Sequence, residues 1–251
     1  MRYAILSDIH SNLEALSAVL SDLATQRIDR YLCLGDLVGY GADPARCLAR
    51  LQGIGAVSVC GNHDWACVGK VDVRSFNSLA RQAVEWTRDR LSVGELDLLR
   101  RLSPVLTEGP LTLVHGTLKS PERFEYLVDL AQAVETVTLC RTPYCAVGHT
   151  HVPLYFEYDL DRQRIGRVVS KEAELRAIVL PPASSNMRCV VNPGSIGQPR
   201  DGDPRACVAI LDEEQRSYTV RHVPYDIPSA QRKILEAGLP PFLAERLAVG
   251  R

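Results

Sequence analysis

Six short apolar runs in this chain end in the same kinds of residue: aspartate, histidine, asparagine or glycine. Ala4-Ile5-Leu6 opens into Ser7-Asp8-Ile9-His10, and Tyr31-Leu32-Cys33-Leu34 opens into Gly35-Asp36. Val57-Ser58-Val59-Cys60 runs into Gly61-Asn62-His63-Asp64, and Leu111-Thr112-Leu113-Val114 into His115-Gly116. Cys145-Ala146-Val147 leads to Gly148-His149-Thr150-His151, and Cys189-Val190-Val191 to Asn192-Pro193-Gly194-Ser195. Short apolar runs closed by Gly, Asp or Asn read as buried strands. In open α/β sheets, ligands collect outside the carboxyl ends of the strands. The pattern therefore predicts that polar residues far apart in sequence converge on one rim. Their oxygen and nitrogen donors suit divalent metals and are numerous enough for two ions.

The elements between these runs support an α/β reading. Leu13, Leu16, Leu20 and Leu23 fall on one face of a helix expected over residues 12–26. A second helix starts near Pro44, a residue suited to a first turn. Strands at 3–7, 30–34 and 56–60 alternate with these helices, which predicts parallel pairing. Residues 74–102 read as two helices broken near Ser92-Val93-Gly94, followed by strands at 104–107 and 111–114. A helix over 129–139 precedes a strand at 144–147. The pattern then turns to strands at 153–158, 164–170, 188–191, 206–211 and 217–223, and ends in two helices. Turns at Asp159–Asp161 and Asp212–Glu214 suggest antiparallel hairpins. The reading is two sheets face to face with helices outside, the second sheet built from the second half of the chain.

The 251 residues show no boundary, repeat or low-complexity stretch, so one domain over 1–251 is expected. A net charge of −1 leaves no basic footprint for sequence-independent nucleic-acid binding. Met1-Arg2-Tyr3 leads directly into a strand, with no apolar stretch of signal-peptide length and no membrane-spanning run of ~18 apolar residues. A cytoplasmic protein is the expectation. The eight cysteines contain no C-x2-C pair, and Cys33, Cys60, Cys145, Cys189 and Cys207 lie inside apolar runs. They read as small buried hydrophobes in a reducing compartment.

Asp8 and His10 flank Ile9, so at strand period both would face one side. His149 and His151 have the same spacing and would reach different ions. Asp36 has two oxygens and can bridge a pair of ions. His63 beside Asp64 suggests an imidazole oriented and kept protonated by a carboxylate, able to donate a proton to a leaving oxygen. Each feature has an ordinary explanation alone: a surface turn, a helix cap, an Asx-turn. Six strand ends carrying such residues together are not explained that way. His222, late in an edge-like strand, reads as structural.

DIH at 8–10, GDLVGYG at 35–41, GNHD at 61–64, His115, GHTH at 148–151 and NPGS at 192–195 resemble the calcineurin-like metallophosphoesterase superfamily. GQPRDGDPRA at 197–206 and the C-terminal PYDI…AGLPPFLAERL resemble its small bacterial and archaeal phosphodiesterase-like branch. The resemblance implies an α/β, four-layer sandwich of two mixed β-sheets flanked by helices, with a binuclear site, and it allows a homodimer. It implies a first ion held by Asp8, His10, Asp36 and His151. A second would be held by Asp36, Asn62, His115 and His149. The ions are divalent, with Mn, Fe, Zn, Ni and Mg all open. A metal-bridging hydroxide would attack, and His63, positioned by Asp64, would be the general acid.

Where protein phosphatases and dinucleoside tetraphosphatases of this superfamily carry Asp-Arg-Gly, this chain has Gly39-Tyr40-Gly41. The absent arginine would clamp a phosphate bidentately. Its loss favours a phosphodiester or small nucleotide substrate over a phosphoprotein. Asn12, Tyr40 and Arg200 are candidate substrate contacts, and Arg200 or Arg205 is left to supply the missing cation. The alternatives are a phosphomonoesterase, a dinucleoside polyphosphate hydrolase, or a non-catalytic scaffold. The last is disfavoured because every implied ligand is present.

Overall fold

Tyr3, Ala4, Ile5 and Leu6 are all buried because both faces of their strand are covered. In the computed structural model, which describes residues 1–251, the strands in chain order are β1 (Arg2–Leu6), β2 (Arg30–Cys33), β3 (Val57–Ser58), β4 (Val105–Glu108), β5 (Leu111–Val114), β6 (Tyr144–Ala146), β7 (Leu154–Asp159), β8 (Arg164–Val169), β9 (Ile178–Val179), β10 (Met187–Asn192), β11 (Ala206–Asp212) and β12 (Ser217–Val223). The helices are α1 (Leu13–Leu23), α2 (Pro44–Gly53), α3 (Asn62–Cys67), α4 (Ser78–Arg88), α5 (Val93–Arg101), α6 (Leu130–Leu139), α7 (Glu172–Leu175), α8 (Ile227–Glu236) and α9 (Pro241–Glu245). None is long and apolar enough to cross a membrane.

One sheet has the order β3-β2-β1-β11-β12-β9, the other β4-β5-β6-β10-β7-β8. Both are mixed. β1, β2 and β3 pair in parallel, as the strand–helix alternation predicts, while β11 joins β1 antiparallel. Alternation along β1 then sorts the layers. Tyr3 and Ile5 point between the sheets, against Leu111, Leu113, Val191 and Ala209. Ala4 and Leu6 point outward, under Leu16, Val19 and Leu23 of α1. On the far side, Val114, Val147 and Val190 of the second sheet pack under Ala133 and Val137 of α6. The result is helix, sheet, sheet, helix. Burying each leucine of α1 contributes about 1.5–3 kcal/mol against exposure.

Three expectations need correction. The sheets do not divide by halves of the chain: β11 and β12 extend the first sheet, and β4 and β5 belong to the second. A strand's hydrophobicity states that it is buried but not which neighbour it pairs with. The third strand is only Val57–Ser58, with Val59 making an isolated bridge to Ser103, because Gly61 then starts α3. That helix, the short α7 and β9 escaped the reading; all are too short for a periodic signal.

Candidate metal centre and cleft

The rim residues reach the site from loops rather than strand ends. β1 stops at Leu6, and Asp8 and His10 take φ values of 52° and 47°; β6 stops at Ala146, and His149 and His151 take 66° and 61°. Strand period therefore does not aim these pairs. Left-handed backbone does, a conformation that Asp, Asn and His tolerate better than most residues. Asp36 (φ 50°) shares it.

The side chains gather in adjoining buried groups. His151 Nε2 lies 3.2 Å from Asp8 Oδ1, and His10 Nε2 lies 3.8 Å from the same oxygen. Asp36 Oδ2 is 3.6 Å from His10 Nε2 and 3.3 Å from His115 Nε2. His115 Nε2 is 3.0 Å from His149 Nδ1. One group is thus Asp8, His10 and His151, another Asp36, His115 and His149, each with ligand atoms close enough to share an ion. Asp36 stands between them, and His149 and His151 fall on different sides.

The tautomers give this arrangement its meaning. His10 Nδ1 faces the Val38 carbonyl at 3.2 Å, His115 Nδ1 that of Leu34 at 2.7 Å, and His151 Nδ1 that of Gln198 at 2.6 Å. A carbonyl only accepts, so each Nδ1 carries a hydrogen and, in the neutral ring that binds a metal, each Nε2 keeps a bare lone pair. The lone pairs of His10 and His151 then face each other across 3.3 Å and point at carboxylates. Asp8 Oδ1 and Asn62 Oδ1 are buried with no hydrogen-bond partner. Acceptors aimed at acceptors repel unless a cation lies among them. These donors fit a divalent metal.

Protons respond to the same crowding. Burial pushes the Asp36 carboxyl up, but the His115 and His63 rings outweigh it and hold it well below the usual carboxylate value. Burial lowers His115, yet Asp36 and Asp8 override it and raise this ring to about 9. Burial, with the Arg200 charge against it, brings His63 down to about 4 despite Asp36.

Two glycines permit the approach. A Cβ at Gly61 would lie 2.0 Å from Asp36 Oδ1, and one at Gly39 would lie 2.5 Å from His63 Nδ1.

His63 lines a cleft of about 530 Å³ together with Asp36, Asn62, His149, His151 and Arg200. Its expected partner is elsewhere. Asp64 Oδ1 accepts the Leu37 and Val38 amides and Oδ2 the Gly61 amide, at 2.9–3.2 Å. His63 Nδ1 has no partner. Asp64 fixes backbone, and adjacency in sequence misassigned it. Asn12 is likewise spent: Oδ1 caps α1 by accepting from Ala15, and Nδ2 donates to the Gly197 carbonyl. Tyr40 packs between His10 and His63, with ring centroids at 4.6 and 4.5 Å. Arg205 pairs with Asp203 and Glu172, which leaves Arg200 as the arginine of that loop in the cleft.

Other lining residues carried no sequence signal. Tyr126 stacks on His149 at 3.8 Å, and Lys70 and Phe76 close the cleft wall. The NPGS run supports the rim from behind. Asn192 Nδ2 donates to the Gly148 carbonyl, and Ser195 Oγ donates to the Asp8 carbonyl.

The family model for the calcineurin-like phosphoesterase superfamily domain matches residues 1–216. The chain belongs to that superfamily. A metallophosphoesterase from Sphaerobacter thermophilus is 41% identical, with a TM-score of 0.85 over 100% of this chain and 99% of that one. An uncharacterised protein of Methanocaldococcus jannaschii is 35% identical over 99% of this chain and 98% of its own length. A hypothetical protein from Pyrococcus horikoshii, 20% identical, shares the fold with a TM-score of 0.79 over 100% of this chain and 98% of that one. The superfamily is one of metallophosphoesterases, and the Asp and His clusters of this member are candidate metal sites.

Proposed function

We propose that this chain is a two-metal phosphodiesterase working as one domain. Asp8, His10, Asp36 and His151 would hold one ion, and Asp36, Asn62, His115 and His149 the other. The observation that carries this reading is the Asp36 carboxylate set between two groups of imidazole nitrogens, 3.6 Å from one and 3.3 Å from the other. When bound, the ions supply Lewis acidity and neutralise charge on the phosphoryl oxygens. The donor set of imidazole, carboxylate and amide leaves Mn, Fe, Zn, Ni and Mg open.

The chain's own residues supply the rest. His63, buried beside Arg200 and facing the cleft, is the proton donor to the leaving oxygen. Its low metal-free value is set by burial. An anionic phosphate beside it opposes the effect of burial and favours the protonated ring. Arg200 is held by Gln198 Oε1 at 2.9 Å and offers a cation to a phosphate oxygen. Tyr40 fixes the His63 ring through its face. The cleft suits a small phosphate ester or nucleotide, and eight free, buried cysteines favour a reducing, cytoplasmic setting.

A diester carries one charge fewer than a monoester dianion. With tyrosine at position 40, hydrolysis of bis-nitrophenyl phosphate should match or exceed that of the nitrophenyl monoester. Arg200 is the observation on the other side, because it could clamp a terminal phosphate. Comparing kcat/KM for the matched pair, on protein stripped and reloaded with each metal, decides between them. A monoester preference beyond ~10-fold, about 1.4 kcal/mol in transition-state energy, would make the chain a phosphomonoesterase or dinucleoside polyphosphate hydrolase instead.

A further inference from the structure

Outside the cleft, β11 and β12 set Cys207 and His222 directly opposite one another on neighbouring strands. Opposed residues project from the same face of a sheet, so the two side chains meet. The loop entering β11 brings Asp201 over them. His222 Nε2 is 3.0 Å from Asp201 Oδ2 and 3.6 Å from Cys207 Sγ. The His222 side chain is only 1% exposed. Its Nδ1 is buried with no hydrogen-bond partner and stands 3.6 Å from Glu172 Oε1. The neighbouring carboxylates are already matched, Asp203 by Arg205 and Glu172 by Arg176 and Arg205. Asp201 Oδ2 has the His222 ring as its partner.

We propose that Asp201, Cys207 and His222 form a metal site separate from the cleft, binding a zinc-class cation through Oδ2, Sγ and Nε2 with water as the fourth ligand. Zinc bond lengths of about 2.3 Å to sulfur and about 2.0–2.1 Å to nitrogen and oxygen, at tetrahedral angles, place N and S about 3.6 Å apart and N and O about 3.3 Å apart. The observed separations are 3.6 and 3.0 Å, and the three donor atoms all lie within 4.8 Å of one another. Asp201 lies on an exposed loop and can give the remaining few tenths of an ångström.

The orphaned nitrogen supports this assignment. A cation on Nε2 keeps the ring hydrogen on Nδ1, where it faces the Glu172 carboxylate. Such carboxylate–histidine–metal chains are the usual outer support of a histidine ligand. Burial, with Asp201, Asp203 and Glu172 nearby, pushes the Cys207 thiol well above its ordinary value, so it keeps its proton until a cation displaces it. Binding transfers the thiol proton to solvent and leaves the thiolate on the metal. Thiolate softness selects Zn²⁺ or Co²⁺ over Mg²⁺ or Mn²⁺. The site would anchor one end of the loop that carries Gln198 and Arg200, the former holding His151 through its carbonyl.

Cobalt reports sulfur ligation directly. The chelated chain is reloaded with Co²⁺ and read for a near-ultraviolet thiolate-to-cobalt charge-transfer band; none of the candidate ligands in the cleft is a sulfur. The band should appear in the wild type, persist in Asp36→Ala, and vanish in both Cys207→Ser and His222→Gln. Zinc content should fall by one ion per chain in both Cys207→Ser and His222→Gln. Circular dichroism establishes that each variant is folded, and His222→Gln alone suffices if Cys207→Ser is not. A wild type without the band, or a band that survives Cys207→Ser, would leave only an Asp201–His222 hydrogen bond and overturn the proposal.

Discussion

At the scale of single residues, the site rests on which nitrogen carries a hydrogen. Backbone carbonyls at Val38, Leu34 and Gln198 hold the Nδ1 hydrogens of three histidines, so their Nε2 atoms face inward and are the ones left to bind a proton or a metal. His63 Nδ1 has no such carbonyl, and in the proposed function it is the ring that exchanges a proton. His63→Ala should therefore keep its metal content and lose turnover by about 10²–10⁴-fold on a substrate with a poor leaving group. The loss should shrink on a nitrophenyl ester, whose leaving oxygen barely needs a proton. Kinetics paired with elemental analysis check this, and loss of metal in the variant would make His63 a ligand. The residue types were legible in the sequence, because motifs such as GNHD and GHTH name them. The partners were not. Asp64 follows His63 in the chain, yet its oxygens bond to the amides of Leu37, Val38 and Gly61.

At the scale of elements, those three amides tie the Asp36 loop to the start of α3. Removing the Asp64 carboxylate leaves three buried donors unpaired, at about 1–3 kcal/mol each. Asp64→Ala should cost about 3 kcal/mol or more in urea unfolding and weaken metal binding through the displaced loop. A loss under ~1 kcal/mol would show that the loop is held by other contacts. Long elements were readable from periodicity: α1, α6, β5 and β12 fall within a few residues of expectation. The left-handed turns that aim Asp8, His10, His149 and His151 were not, because a histidine or aspartate at positive φ has no repeat to reveal it. Nor were the cleft wall residues Tyr126 and Phe76, which reach the site only through loop placement.

At the scale of the whole molecule, two interleaved sheets bring residues from Asp8 to Arg200 to one rim, and metal, proton and fold become linked there. His115 rises from 6.5 to about 9 in the metal-free fold. Its protonated form stabilises that fold fully below ~6.5, and the contribution is lost as pH rises through 9. A cation must expel this proton at low pH but not at high pH. The gap in Tm between metal-loaded and chelated protein should therefore widen from pH 6.5 to 9. A constant gap would mean that His115 does not exchange a proton for a metal.

The most direct test of the account is anomalous diffraction at the manganese edge from crystals soaked in Mn²⁺, an ion that avoids thiolate ligands. Two peaks are expected, one on each side of the Asp36 carboxylate, the first also touching Asp8, His10 and His151 and the second Asn62, His115 and His149. A single peak, or two peaks that leave Asp36 without a metal, would contradict it.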